Sequence, residues 1–114
     1  MSNLNPEFKT KWLTALRSGE YQQCRSDLKN HTGFCCLGVL ADLENPEWVP
    51  AFGYGRLVPF KDGVCLAAHS SSGQLSSNFG RKVGLSYDGA MALIGMNDGG
   101  DSFVKIADYI EEHL

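Results

Sequence analysis

An α+β domain, a small antiparallel sheet packed with about four helices, is the fold class this sequence predicts. Three observations predict it. Helical periodicity is confined to the two ends of the chain and to one apolar run, Phe34–Leu43. The stretch from residue 46 to 85 instead breaks into short apolar groups separated by Gly, Pro and Ser. No linker or internal repeat divides the 114 residues, so residues 1–114 are expected to form a single compact domain around one core.

The first helix is predicted over Pro6–Ser18. Asn5 is a capping residue, Pro6 suits the first helical position, and Glu7 places an acid in the first turn. Phe8, Trp12, Ala15 and Leu16 recur on one face. Arg17 suits the negative end of the helix dipole, and Gly19 supplies a left-handed stop. Glu20–Leu28 is polar with apolar points at Tyr21 and Leu28, and is expected to be a strand. Lys29 to Gly33 is a turn-forming cluster that leads into Phe34–Leu43.

Phe34–Leu43 is the segment around which the rest is expected to pack. Cys36, Val39, Leu40 and Leu43 share one helix face, Phe34, Leu37 and Ala41 widen it, and Asp42 is its only charge. A helix apolar over most of its circumference belongs at the centre of a core. It should end by Asn45, because the residue before Pro46 is biased away from helical geometry.

In the middle region Trp48-Val49, Leu57-Val58 and Val64–Ala68 predict two or three short strands, with Lys61-Asp62-Gly63 as a hairpin turn. Ser70–Gln74 reads as a flexible polar loop, and Leu75–Leu85 fits no single pattern. Ser86 or Asp88 then caps a helix that carries Met91, Leu93, Ile94 and Met96. Asn97 to Gly100 breaks it, and Asp101 or Ser102 caps a last helix bearing Phe103, Ile106, Ala107, Ile110 and Leu114.

Composition narrows the function classes. A net charge of −3, with Arg81-Lys82 the only adjacent basic pair, argues against general nucleic-acid binding. No apolar run approaches the roughly 20 residues of a membrane span, and the N-terminus lacks a signal-peptide pattern. A cytoplasmic setting is therefore expected, with Cys24, Cys35, Cys36 and Cys65 reduced. No cofactor motif is present.

Three constellations carry candidate chemistry. Arg17, Tyr21, Gln23 and Arg25 follow the first helix closely. On a strand, Tyr21, Gln23 and Arg25 would share a face, offering stacking, amide recognition and a phosphate contact to a small anionic ligand such as a nucleotide. A solvated sheet face is the competing reading. Cys35 and Cys36 open a helix, where a thiol is activated, and Cys35 with His69 would make a cysteine-dependent hydrolase. His31 is nearer in sequence but lies in a turn. Against catalysis stands the tendency of free cysteines to pack as small apolar groups. Cys24, His31, Cys35, Cys36, Cys65 and His69 show no metal-ligand spacing, and no metal site is expected. The acidic loop Asn97–Asp101 lacks a calcium-loop pattern and reads as a turn with caps. Trp12, Trp48, Phe52, Tyr54, Phe60 and Phe79 are candidates for a pocket lining, a core or a subunit interface.

Three segments resemble those of a group of small phage and prophage proteins. Trp12 to Gln23 matches the opening W-L-x-A-L-R-S-G-x-Y-x-Q, and Phe34 to Leu40 matches F-C-C-L-G-V-L. Met96 to Glu111 matches a closing L-N-D-x-G-x-S-F-x-x-I-A-D-x-I-E, with Met for the first Leu. Cys24 departs from a frequent Gly of that group. The resemblance implies a phage origin and brings no activity with it. Phage proteins of this size often act on the host, and some sequester nucleotide immune signals in oligomeric pockets. The expectation is a host-directed, anti-defence binding protein that captures a small nucleotide-type signal without catalysis, as a homo-oligomer, in the host cytoplasm. The alternatives are the Cys35–His69 hydrolase and a protein–protein inhibitor acting through the aromatic middle segment.

Overall fold

Asn5 starts the first helix as its side chain predicts. In the computed structural model, which describes residues 4–51, 53, 55–68 and 71–114, Asn5 Oδ1 accepts from the backbone N–H of Glu7 at 2.9 Å. The helix, α1, runs Pro6–Arg17, and Gly19 follows with φ of 77°. Its Trp12 and Leu16 are buried, and Trp12 Nε1 donates to the carbonyl of Cys36 at 2.9 Å. That bond ties α1 to the central helix α2, Cys36–Asp42.

Six of the seven α2 residues are buried, Cys36 to Ala41. Gly38 has a specific reason to be there. A Cβ at that position would collide with the carbonyl oxygen of Leu28, so only glycine lets this backbone lie against the helix. The helix starts at Cys36 and not at Phe34, because the backbone of Phe34 is used elsewhere. Its N–H donates to Gln22 and its carbonyl accepts from Cys24, both at 2.8 Å.

The strand expected over Glu20–Leu28 does not form. The segment is irregular and touches its neighbours through isolated bridges, Gln23 with Phe34, and just beyond it Lys29 with Phe34 and Leu57. Ser26 has φ of 73°, which no strand accommodates, and its N–H donates to Asp98 Oδ1. Leu28 N–H donates to Ser72 O, so the polar stretch is satisfied piecemeal by distant loops.

Asn45, with φ of 52°, turns the chain into the sheet. Strands β1 (Glu47–Pro50), β2 (Leu57–Lys61) and β3 (Val64–Cys65) pair antiparallel in that order. Asp62 and Gly63, both with positive φ, make the predicted β2–β3 turn. The register pairs Trp48 with Pro59 on one face, and Val49 with Val58 on the other.

Residues 75–85, which fit no single pattern in the sequence, contain a fifth helix. α3 spans Ser77–Val83, with Ser76 as N-cap and Gly84 in the left-handed region at φ 82°. Ser86 caps α4, Tyr87–Asp98, and Ser102 caps α5, Phe103–His113. α4 continues past the expected break because Asn97 points inward and is buried. The α+β class stands, as one compact domain of 36 × 26 × 22 Å. α2 packs against α1 and α4, and α5 packs against α1. No helix among the described residues is long and apolar enough to cross a membrane.

Candidate functional site

The sheet face opposite Trp48 and Pro59 is left without a helix pressed onto it. Val49, Val58, Phe60 and Cys65 instead form the floor of a cleft of about 950 Å³. One wall is the loop that follows β3. It is held as a narrow pair by the bridge Ala67 with Leu75 and by bonds from Ala68 N–H to Gln74 O and from Ser76 N–H to Leu66 O, both 2.7 Å. The Ser71–Gln74 part of the predicted flexible loop is thus anchored, and Ser72 Oγ donates to the buried Asp27 at 2.9 Å. The other wall is α3 and the first two turns of α4, which contribute Gly80, Arg81, Ala90, Met91 and Ile94.

The lining is mainly apolar. Ser71, Gln74, Ser76, Ser77 and Ser86 add hydroxyl and amide groups. Arg81 is the only charged side chain among the described lining residues. At the rim Tyr87 is 71% exposed and Met91 is 37% exposed, neighbours one turn apart on α4. An apolar concavity of this size with a few polar groups is the usual form of a small-molecule site.

The candidates read from the sequence lie elsewhere. Arg17 Nη2 donates to Asp108 Oδ1 and Glu111 Oε1, both at 2.8 Å, clamping α1 to α5. Tyr21 Oη donates to Asp42 Oδ2 at 2.7 Å. Burial, then that carboxylate, hold its phenol well above the ordinary tyrosine range. Gln23 Nε2 donates to Asn97 Oδ1 and to the carbonyl of Asp101. Arg25 is exposed beside Gly100. The expected common face for Tyr21, Gln23 and Arg25 rested on a strand that is not formed, and two of the three side chains point into bonds within the protein.

Asp42, the single charge of the apolar run, has a clear use. It accepts from Tyr21 and also from Trp48 Nε1, at 2.9 Å. Phe34 sits between these two rings, edge-on to both, with centroids 5.0 and 5.6 Å away. Lys29 Nζ lies over the Phe34 ring at 4.6 Å and near Trp48 at 5.3 Å. This cluster fixes β1 to α2.

Cys35 is the N-cap of α2, with its sulfur accepting from Gly38 N–H at 3.4 Å. It is only 5% exposed, and burial pushes its thiol up to about 12. A helix start that activates an open cysteine here holds a closed one as a neutral thiol. Cys36 is fully buried, and burial raises it also. His69, the expected catalytic partner of Cys35, lies outside the described residues, as do Phe52 and Tyr54. Among the other aromatic candidates, Trp12 and Phe79 are core, Trp48 belongs to the Asp42 cluster, and Phe60 alone lines the cleft. Among the described residues no group of three or more His, Cys, Asp or Glu side chains is placed to hold a metal ion.

A family model described as a domain of unknown function, DUF8296, matches residues 4–56. No curated protein matches the chain, and no solved structure does. The matched stretch holds α1, α2, β1 and the Asp42 cluster, and among its described residues Val49, Pro50 and Ala51 reach the cleft.

Sequence reading missed the cleft because its walls come from β1 to β3, a loop, α3 and α4. One signal was available. Ser76 as a cap, Arg81-Lys82 in a last turn and Gly84 as a stop together mark a short helix. No local pattern could show that its Arg81 would border an apolar floor some twenty residues earlier in the chain.

Proposed function

We propose that this protein binds a small host molecule stoichiometrically, without turning it over. The single observation that carries the reading is the cleft of about 950 Å³, apolar in its floor and edged by hydroxyl, amide and guanidinium groups. The protonated, enclosed Cys35 supports binding over thiol catalysis. The biological setting proposed is the one the sequence resemblance implies. It is a phage protein acting in the host cytoplasm against defence, with a small signal of nucleotide type as the captured molecule. The binding position moves from Arg17–Arg25 to the cleft, because Arg17, Tyr21 and Gln23 already serve bonds inside the fold. A homo-oligomer in which copies meet over exposed Tyr87 and Met91 would close the cleft further.

The test is thermal denaturation against a nucleotide panel and a host metabolite extract, with mass spectrometry of whatever is released on heating. A ligand recovered chemically unchanged, in a one-to-one ratio with the chain, is the expected result. A converted ligand would overturn the non-catalytic reading. Absence of any shift or released molecule would overturn small-ligand binding and leave a protein partner.

A further inference from the structure

We infer that the cleft is built for an amphiphile, a molecule with an apolar body and a single anionic end group, a carboxylate or a phosphomonoester, set at Arg81. This rests on the small-ligand reading above and specifies its chemistry.

The argument begins with charge. Arg81 is the one charged side chain on the described lining, so among the described residues one anionic group is matched there and a second has no counterpart. Its guanidinium donates to the amide oxygen of Asn78, a neutral acceptor that orients the group without cancelling its charge. Two other cations of the chain are engaged with carboxylates. Lys82, next in sequence, is bonded to Glu44 at 2.6 Å, and Arg56 lies 3.5 Å from Asp27. A ligand with several phosphates would bring charges that find no partner among the described lining residues, and leaving them unpaired over an apolar floor is costly.

The body of the ligand follows from the floor and wall. Val58, Phe60, Leu75, Leu85, Ala90 and Ile94 offer only carbon surface. Covering such surface stabilises a bound molecule by roughly 25 cal/mol per Å² before the costs of association are subtracted. Tyr87 and Met91 extend the apolar surface past the rim, giving a ligand body a second side to lie against. The hydroxyls of Ser76 and Ser86 already accept cap bonds from Phe79 and Gly89, so they hold position and present their protons. Within nucleotides, this surface suits a monophosphate and not a triphosphate or a cyclic oligonucleotide.

The experiment uses the fluorescent probe 8-anilinonaphthalene-1-sulfonate, an aromatic body with one sulfonate, on the full chain. Displacement is then measured with decanoate, decyl phosphate, decanol and ATP. The expected result is saturable one-to-one probe binding, with decanoate and decyl phosphate displacing it at about tenfold lower concentration than decanol. Arg81→Gln, at an exposed position, should remove that tenfold preference while leaving decanol unchanged. Ala90→Phe, which fills the cleft, should abolish probe binding with the circular dichroism spectrum intact. Equal potency of decanol and decanoate on the wild-type chain, or ATP displacing the probe better than decanoate, overturns the single-anion class and leaves small-ligand binding standing. Probe binding that survives Ala90→Phe overturns the location. If neither the probe nor any competitor binds the folded chain, the small-ligand reading itself fails.

Discussion

The side-chain amide of Asn97 donates through Nδ2 to the carbonyl of Cys24, 73 residues earlier in the chain, at 2.8 Å. Its Oδ1 accepts from Cys36 N–H at 3.2 Å and from Gln23 Nε2 at 2.9 Å. One buried amide on α4 therefore satisfies the irregular Gln23–Cys24 segment and the first turn of α2 together. Asn97 is 1% exposed, so these bonds replace water completely.

Asn97→Ala leaves the N–H of Cys36 and the carbonyl of Cys24 without partners, while the Gln23 amide keeps its bond to the carbonyl of Asp101. Each orphaned group costs about 1–3 kcal/mol, partly relieved by relaxation, so a loss of roughly 3 kcal/mol is expected. Urea denaturation should show a much lower midpoint with an unchanged slope. A loss under about 1 kcal/mol would mean that water reaches this position.

Gly38 and Gly95 make a paired test. Gly38→Ala drives a Cβ into the backbone oxygen of Leu28, and neither partner has a flexible end to yield. A cost of about 3 kcal/mol or more, or failure to fold, is expected. Gly95 lies within α4 with nothing within 4 Å of an added Cβ. Gly95→Ala should raise stability by about 0.5–1 kcal/mol through helix propensity alone. Thermal melting of the two variants beside wild type reads both, and similar effects from both would refute the close approach at Leu28.

Alkaline pH should unfold the protein through its thiols. Burial raises Cys24 to about 11 and Cys35 to about 12, and lifts Cys36 as well, from an ordinary value of 9.0. A raised folded-state value means the unfolded chain loses its protons first. The stability is complete below pH 9.0 and falls as pH climbs through the folded-state values near 11 and 12. Each thiol adds about 1.4 kcal/mol per pH unit to that fall. Cys35→Ser keeps a capping oxygen for Gly38 N–H and removes one titrating group, so its urea midpoint should decline less steeply above pH 9.0.

Cys35 should also be unreactive in the folded chain. With 5% exposure and a protonated sulfur, its alkylation at pH 7.5 should be at least about a hundredfold slower than that of free cysteine, and should recover in urea. Peptide mapping after iodoacetamide treatment separates it from Cys65, which is partly exposed and should label first. Rapid labelling of native Cys35 would reopen the hydrolase reading.

Local rules in the sequence were enough for much of the frame. Asn5, Ser86 and Ser102 cap helices because their side-chain oxygens reach the next backbone N–H groups, whatever surrounds them. Lys61-Asp62-Gly63 turns because Asp and Gly tolerate positive φ. The apolar run Cys36 to Ala41 had to be central because nearly every face of it avoids water. The α+β class and the central helix follow from such effects. Tertiary structure decided the rest. Glu20–Leu28, polar with apolar points at Tyr21 and Leu28, reads as a strand, but its backbone partners include Asn97, Asp98 and Ser72, which no local pattern reveals. Cys35 sits where a helix start favours a thiolate, and it became a neutral, enclosed cap because burial outweighs that local effect. The cleft exists only where the sheet face, the β3–α3 loop and α4 meet, so its apolar floor and the one cation on its described lining, Arg81, are set by contacts between distant segments.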